Sequence, residues 1–205
     1  MATDATLSNI KNCPECKTKN VPKPSVDPWF ESKYRRSAEL VADFADEHLF
    51  TGRVGAWIHE TGSTAPATVI DVDDEWQVEV HINTAGFLTH MWCGWWCVRL
   101  CCECICGDMH HRFPKGDPCC WLVPIDPCCG CRDFTITVPA YAMQESVCGD
   151  PCKCWLIITH ITPCKIKEGD DKDPRNYRPG AIAGSVELPN LTFYSAAESP
   201  AEEEE

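Results

Sequence analysis

Cysteine dominates the chemistry this chain can offer. Seventeen are spread over 205 residues, and eleven of them fall between positions 91 and 131. That stretch opens Met91-Trp92-Cys93-Gly94-Trp95-Trp96-Cys97 and continues through Cys101-Cys102-Glu103-Cys104-Ile105-Cys106. It closes with Cys119-Cys120 and Cys128-Cys129-Gly130-Cys131. A thiol can pair as a disulfide, ligate a soft metal or simply pack as a small hydrophobe. An odd total leaves at least one thiol unpaired in a monomer.

Metal ligation is read first from spacing. Cys13-Pro14-Glu15-Cys16 has the form of half a zinc knuckle, because two thiolates three positions apart can grip one ion from a tight turn. The usual turn glycine is replaced by Lys17. Zinc wants four ligands, and Cys148-Gly149-Asp150-Pro151-Cys152-Lys153-Cys154 is the best second half, since Gly149 and Pro151 let the loop fold back. Cys128 and Cys131, among Pro127 and Gly130, are further loop donors, and His110-His111 adds imidazole. Zinc is the cofactor such a donor set would take; a local disulfide, free thiols and solvated histidines are the plain alternatives.

Cys102 and Cys104 continue the face of Val98 and Leu100, which points to core packing. Cys97 and Cys101 fall on the opposite face with Arg99 and Glu103, where exposure is open to them. Cys93 and Cys97 are four positions apart, not the spacing of a thioredoxin-like pair. The acidic corners at Asp71-Asp74 and Glu168-Asp173 lack the spacing of a calcium-binding hand and read as solvated loop charge. There is no nucleophile elbow, zinc-protease motif, phosphate loop or dinucleotide fingerprint, so the expectation leans away from an enzyme.

The elements that would hold these residues are mostly strands. Residues 1–26 are polar and aperiodic and read as a flexible arm. Residues 27–52 read as a helix: Asp27-Pro28 is a start signal, and Phe30, Tyr34, Val41, Phe44 and Leu49 make a stripe helped by Ala38 and Ala45. From residue 53 the period falls to two. Trp76, Val78, Val80 and Ile82 alternate with Gln77, Glu79, His81 and Asn83. Trp95–Glu103, Phe134–Val138 and Ile182–Tyr194 are further strands. Trp155–Ile161, apolar on both faces, is expected at the centre of a sheet.

About seven strands separated by loops predict an all-β fold over 53–195, an immunoglobulin-like antiparallel β-sandwich preceded by the helix and arm. In architecture the chain resembles such domains through the tryptophan-bearing strand Trp95–Glu103. Val78 stands where the inter-sheet cysteine would be, so that disulfide is not expected. Residues 196–205, ending in four glutamates, read as a disordered acidic tail.

The net charge of −13 argues against nucleic acid or an anionic membrane as partner, since both require a basic face. No window reaches the ~18 apolar residues of a membrane span. The first residues lack a secretory leader pattern, which suggests a cytoplasmic setting, while the cysteine density suggests an extracellular one. The expected function is that of a non-catalytic structural or protein-binding domain stabilised by its cysteines. Trp92, Trp95 and Trp121 are the candidate surface for a protein partner or self-assembly. A metal-binding (zinc or iron) or redox protein is the alternative.

Overall fold

The computed structural model describes residues 4–12, 36–42, 51–63, 65–85, 94–105, 109–115, 119–125, 132–163 and 177–196. These residues are all-β, with one short 3-10 turn at Gln144–Ser146. In chain order the strands are β1 (Thr6–Asn12), β2 (Arg36–Glu39), β3 (Val41–Ala42), β4 (Thr51–Glu60), β5 (Val69–Asp71), β6 (Trp76–Ala85) and β7 (Trp95–Cys104). They continue with β8 (Met109–Phe113), β9 (Trp121–Pro124), β10 (Arg132–Val138), β11 (Cys152–Pro163), β12 (Tyr177–Glu187) and β13 (Thr192–Tyr194).

The first antiparallel sheet has the order β1-β10-β6-β4-β2, and the second β3-β12-β11-β7-β8, with β9 also pairing β7. β5 and β13 form a small parallel pair. Alternation explains the first sheet. Trp76, Val78, Val80 and Ile82 of β6 are buried, in register with Ile58, Ala56 and Val54 of β4 and with Val138, Ile136 and Phe134 of β10. In the second sheet, Trp96, Val98 and Leu100 of β7 lie beside His160, Ile158 and Leu156 of β11, all buried. Side chains from both sheets belong to one hydrophobic core. Each large aliphatic side chain fully buried there contributes about 1.5–3 kcal/mol.

Arg132 ties the sheets together from β10, donating its Nε–H to the Pro124 carbonyl of β9. Two glycines matter to the assembly. Gly94, at φ 127°, precedes β7, and a Cβ there would stand 2.2 Å from the Ile161 carbonyl oxygen. Gly184 of β12 leaves room for Leu40, whose Cδ2 would be 2.7 Å from an added Cβ.

That contact bears on the helix expected over 27–52, which the structure overturns wherever the stretch is described. Arg36–Glu39 and Val41–Ala42 are strands, and Thr51-Gly52 opens β4. Ala38 pairs with Val54, Leu40 N–H donates to the Gly52 carbonyl at 2.8 Å, and Val41 pairs with Ala183. The chain passes from one sheet to the other at Leu40. Ala38, Leu40 and Val41 fit a helical stripe as easily as an alternation, and the neighbouring strands' unpaired hydrogen-bonding groups decided for strand. The flexible arm over 1–26 is corrected likewise: Thr6–Asn12 is β1, hydrogen-bonded along β10. The other described residues of the acidic tail reduce to Ala196, so that reading lies outside the described residues.

The other expected strands are present, but the described residues from β4 to β13 form ten strands and not about seven, since Met109–Phe113 and Trp121–Pro124 also pair with β7. Trp155–Ile161 lies in β11, between β12 and β7. Its outward side is only partly covered, with Ile157 exposed.

Candidate functional site

Strand β7 carries cysteines on both faces, and the two faces do different things. On the core side, Cys102 lies opposite Cys154 and Cys104 opposite Cys152 of β11. Both pairs are disulfides, with Cα–Cα distances of 4.1 and 4.2 Å. The backbone explains the closeness. Cys152 exchanges both of its backbone hydrogen bonds with Leu191, and the Cys154 carbonyl accepts from Leu188 N–H. Their polar groups thus point away from β7. What remains towards β7 is the non-hydrogen-bonded pairing, in which opposed Cα atoms approach most closely. Two residues separate the rungs on each strand, so both cystines fall on the same face. All four cysteines are buried in the common core.

Cys102 and Cys104 are therefore in the core as expected, but as cystines and not as packed thiols. The same fact removes Cys152 and Cys154 from the expected zinc set, because a sulfur bound to sulfur is not a thiolate donor. Cys148 is disulfide-bonded as well. Cys13, Cys16, Cys128 and Cys131 lie outside the described residues. His110 and His111, adjacent on β8, point to opposite sides: His110 is exposed, while His111 is buried with its Nε2 2.8 Å from Ser146 Oγ. They do not converge on one ion. Burial pushes the His111 pKa down, helped by Lys115 and His110 and opposed by Glu145. Among the described residues no group of three or more metal-ligating side chains converges.

On the outer side of β7 the cysteines are thiols. Cys97, Cys101, Cys119 and Cys120 are unpaired as disulfides. Cys97 faces Leu122 across the β7–β9 ladder. Cys120, two residues before Leu122, therefore falls on the same face, diagonally beside Cys97. Cys97, Cys120 and Ile161 make a small separate apolar cluster, covered in part by Trp95 and Leu122. Cys97 is buried, packed with Cys120 and Ile161.

Within this cluster side-chain hydrogen bonding with Cys120 is the largest influence lowering the Cys97 pKa. Burial works against that shift and the Arg99 guanidinium reinforces it. Cys120 moves the other way, raised by its hydrogen bond to Cys97, by burial and by the Cys97 charge. The two thiols are thus unequal: Cys97 is shifted towards greater acidity and Cys120 away from it. Partial burial opposes the Arg99 charge, but Cys97, Cys119 and Cys120 together hold its pKa above the ordinary value. Cys119 is exposed. Cys101, further along the same face, is pushed up by burial despite Arg112 and Arg99 nearby.

Of the expected tryptophan surface, Trp95 and Trp121 do not share a face. Trp95 covers the Cys97–Cys120 cluster, whereas Trp121, in register with Val98, packs against the main core. They lie on opposite faces of the second sheet, and Trp92 lies outside the described residues. Alternation along the strands separates them, as it separates the two histidines.

The first sheet has its own polar outer rows. His81 Nδ1 is hydrogen-bonded to Asp133 Oδ1 across β6 and β10. His59 Nδ1 donates to the Glu60 carbonyl at 2.9 Å, with its Nε2 3.5 Å from Glu79 Oε1. Sequence reading passed over both histidines and the grouping of Cys97, Arg99 and Cys120. Alternation alone placed Cys97 with Arg99 on the outer face, but nothing in the chain told which loop cysteine would meet them. No protein-family model, curated protein or solved structure matches this chain.

Proposed function

We propose that this chain is a non-catalytic structural or protein-binding domain with an immunoglobulin-like β-sandwich architecture, held rigid by cystines inside one of its sheets. The reading rests chiefly on one observation, the pair of disulfides that staples β7 to β11 on the core side of the second sheet. Strand order supports the architecture. β4, β6 and β10 are neighbours in one sheet and β7, β11 and β12 in the other, with the chain alternating between sheets from β6 to β7, β10 and β11. That is the Greek-key succession of immunoglobulin-like domains. The departure is that the cystines link neighbouring strands of one sheet instead of joining the two sheets.

Cystines of this kind persist in oxidising surroundings, so the proposed setting is extracellular or an equivalent compartment. A stapled sheet suits a protein that must hold its surface under stress. Among the described residues, β8 and β9 take no strand beyond β7, which leaves edges suited to a strand from a protein partner or a second copy.

The test combines melting with and without strong reductant, a free-thiol count, and native mass spectrometry with and without a chelator. A melting temperature lowered markedly by reductant, with no bound metal, supports the scaffold. Metal bound in stoichiometric amount by mostly free thiols would replace this reading with a metal protein.

A further inference from the structure

We infer that Cys97 and Cys120 form a reversible dithiol–disulfide couple that exchanges with small-molecule or protein disulfides, distinct from the structural cystines on the other face of the same strand. The placement carries this. The two cysteines share one face of the β7–β9 ladder, are both free of disulfides and pack in a small apolar cluster with Ile161, Trp95 and Leu122. Cys120 immediately precedes β9, whose Leu122 is paired with Cys97. The exposed Arg99 projects from the same face beside both thiols, and Cys119 is exposed next in the chain.

The chemistry follows from how the two thiols differ. Cys97 is the nucleophile, because a thiolate attacks a disulfide and a thiol does not. Its Sγ attacks one sulfur of an external disulfide RSSR. A bond from Cys97 Sγ to that sulfur forms, the RS–SR bond breaks, and RS⁻ leaves and takes a proton from solvent. Cys97 is now neutral. The two influences of Cys97 that raised the Cys120 pKa, the hydrogen bonding and the negative charge, vanish together, leaving burial to oppose a Cys120 thiolate and Arg99 to favour it. Cys120 releases its proton to solvent and attacks Cys97 Sγ, expelling the second RS⁻, which is protonated in turn. The balance is two protein thiols oxidised to one cystine and one external disulfide reduced to two thiols. Excess small thiol runs the sequence backwards.

The test uses the full chain with its core cystines intact, equilibrated in mixtures of reduced and oxidised glutathione, acid-quenched, alkylated and peptide-mapped. The expected result is a Cys97–Cys120 cystine that rises and falls with the glutathione ratio, while Cys102–Cys154 and Cys104–Cys152 remain oxidised. C120S should trap glutathione on Cys97, C97S should take up none at Cys120, and C119S should leave the titration unchanged. R99Q should slow alkylation of Cys97 near neutral pH by about tenfold for each unit its pKa rises. C120A serves as a second variant if C120S fails to fold, with folding checked by circular dichroism. The inference is overturned if the Cys97–Cys120 bond does not form in the folded chain. It is equally overturned if the bond breaks only together with the core cystines, or if C119S abolishes the titration and C120S does not.

Discussion

The two core cystines are nested, and nesting has a measurable energetic signature. The Cys102–Cys154 bond spans a sequence separation of 52 and Cys104–Cys152 one of 48. Taken alone, either closes a long loop in the unfolded chain, and loop-closure entropy assigns it about 4 kcal/mol. They are not independent. Once one bond is made, the other closes only a small ring running through two residues of each strand and the first cystine. The same relation gives such a ring about 2 kcal/mol. Replacing one pair by alanine should therefore cost about 2 kcal/mol from loop entropy, a fall of roughly 4–8 °C in Tm. Replacing both should cost about 6 kcal/mol, leaving a coupling of about 2 kcal/mol beyond the sum of the single losses. Lost sulfur packing enters the single and double variants alike and largely cancels from the coupling. Since Cys148 is disulfide-bonded too, the series is best built on a C148S background, so that no further crosslink shares the loop. Guanidinium unfolding of C102A/C154A, C104A/C152A and the quadruple variant, without reductant, measures the three quantities. A coupling near zero, with each pair costing about 4 kcal/mol on its own, would refute the shared-loop reasoning.

Further expectations concern single side chains. G94A should destabilise by several kcal/mol, since both its φ of 127° and the 2.2 Å approach to the Ile161 carbonyl forbid a Cβ without backbone movement; thermal unfolding within 1 kcal/mol of the parent would contradict that geometry. G184A should cost less, because the nearest atom is the far end of the Leu40 side chain; a loss as large as that of G94A would mean the Glu39 carbonyl at 3.1 Å is the true obstacle. His111 has a pKa lowered in the fold, so its contribution to stability is complete above the unfolded value of about 6.5 and is lost as pH falls below it. The difference in unfolding free energy between parent and H111Q should then shift in favour of H111Q from about pH 7 to pH 5; a flat difference would show that His111 does not titrate with folding. L156A, at a fully buried position of β11, should cost about 2–5 kcal/mol, and a negligible loss would place Leu156 outside the core.

Strand periodicity was legible because alternation reflects a local rule, that successive side chains of a strand face opposite sides. From Trp76 to Ile82, and from Val98 to Cys104, burial follows the alternation residue by residue. The same rule placed Cys97 and Arg99 together, and set Cys102 and Cys104 in the core. It failed between 36 and 42, where a few apolar residues satisfy two periods and the choice lay with β4 and β12, distant in the chain. It could not foresee β1 either, since a mostly polar segment pairs through its backbone when an open strand such as β10 is offered, with Leu7 packing against the core from within it.

Pairing of the cysteines was beyond sequence reading for the same reason. Whether Cys102 is a thiol or a cystine depends on the register of β7 against β11, and a shift of one residue would place Lys153 opposite it. Alternation along the backbone thus dictated the strands, their buried faces and the side of β7 on which each cysteine stands. Which sulfurs meet was settled by long-range strand pairing: the β7–β11 register turned four core cysteines into two staples. The β7–β9 pairing set Cys120 beside Cys97, because only the register of distant segments fixes which residues meet.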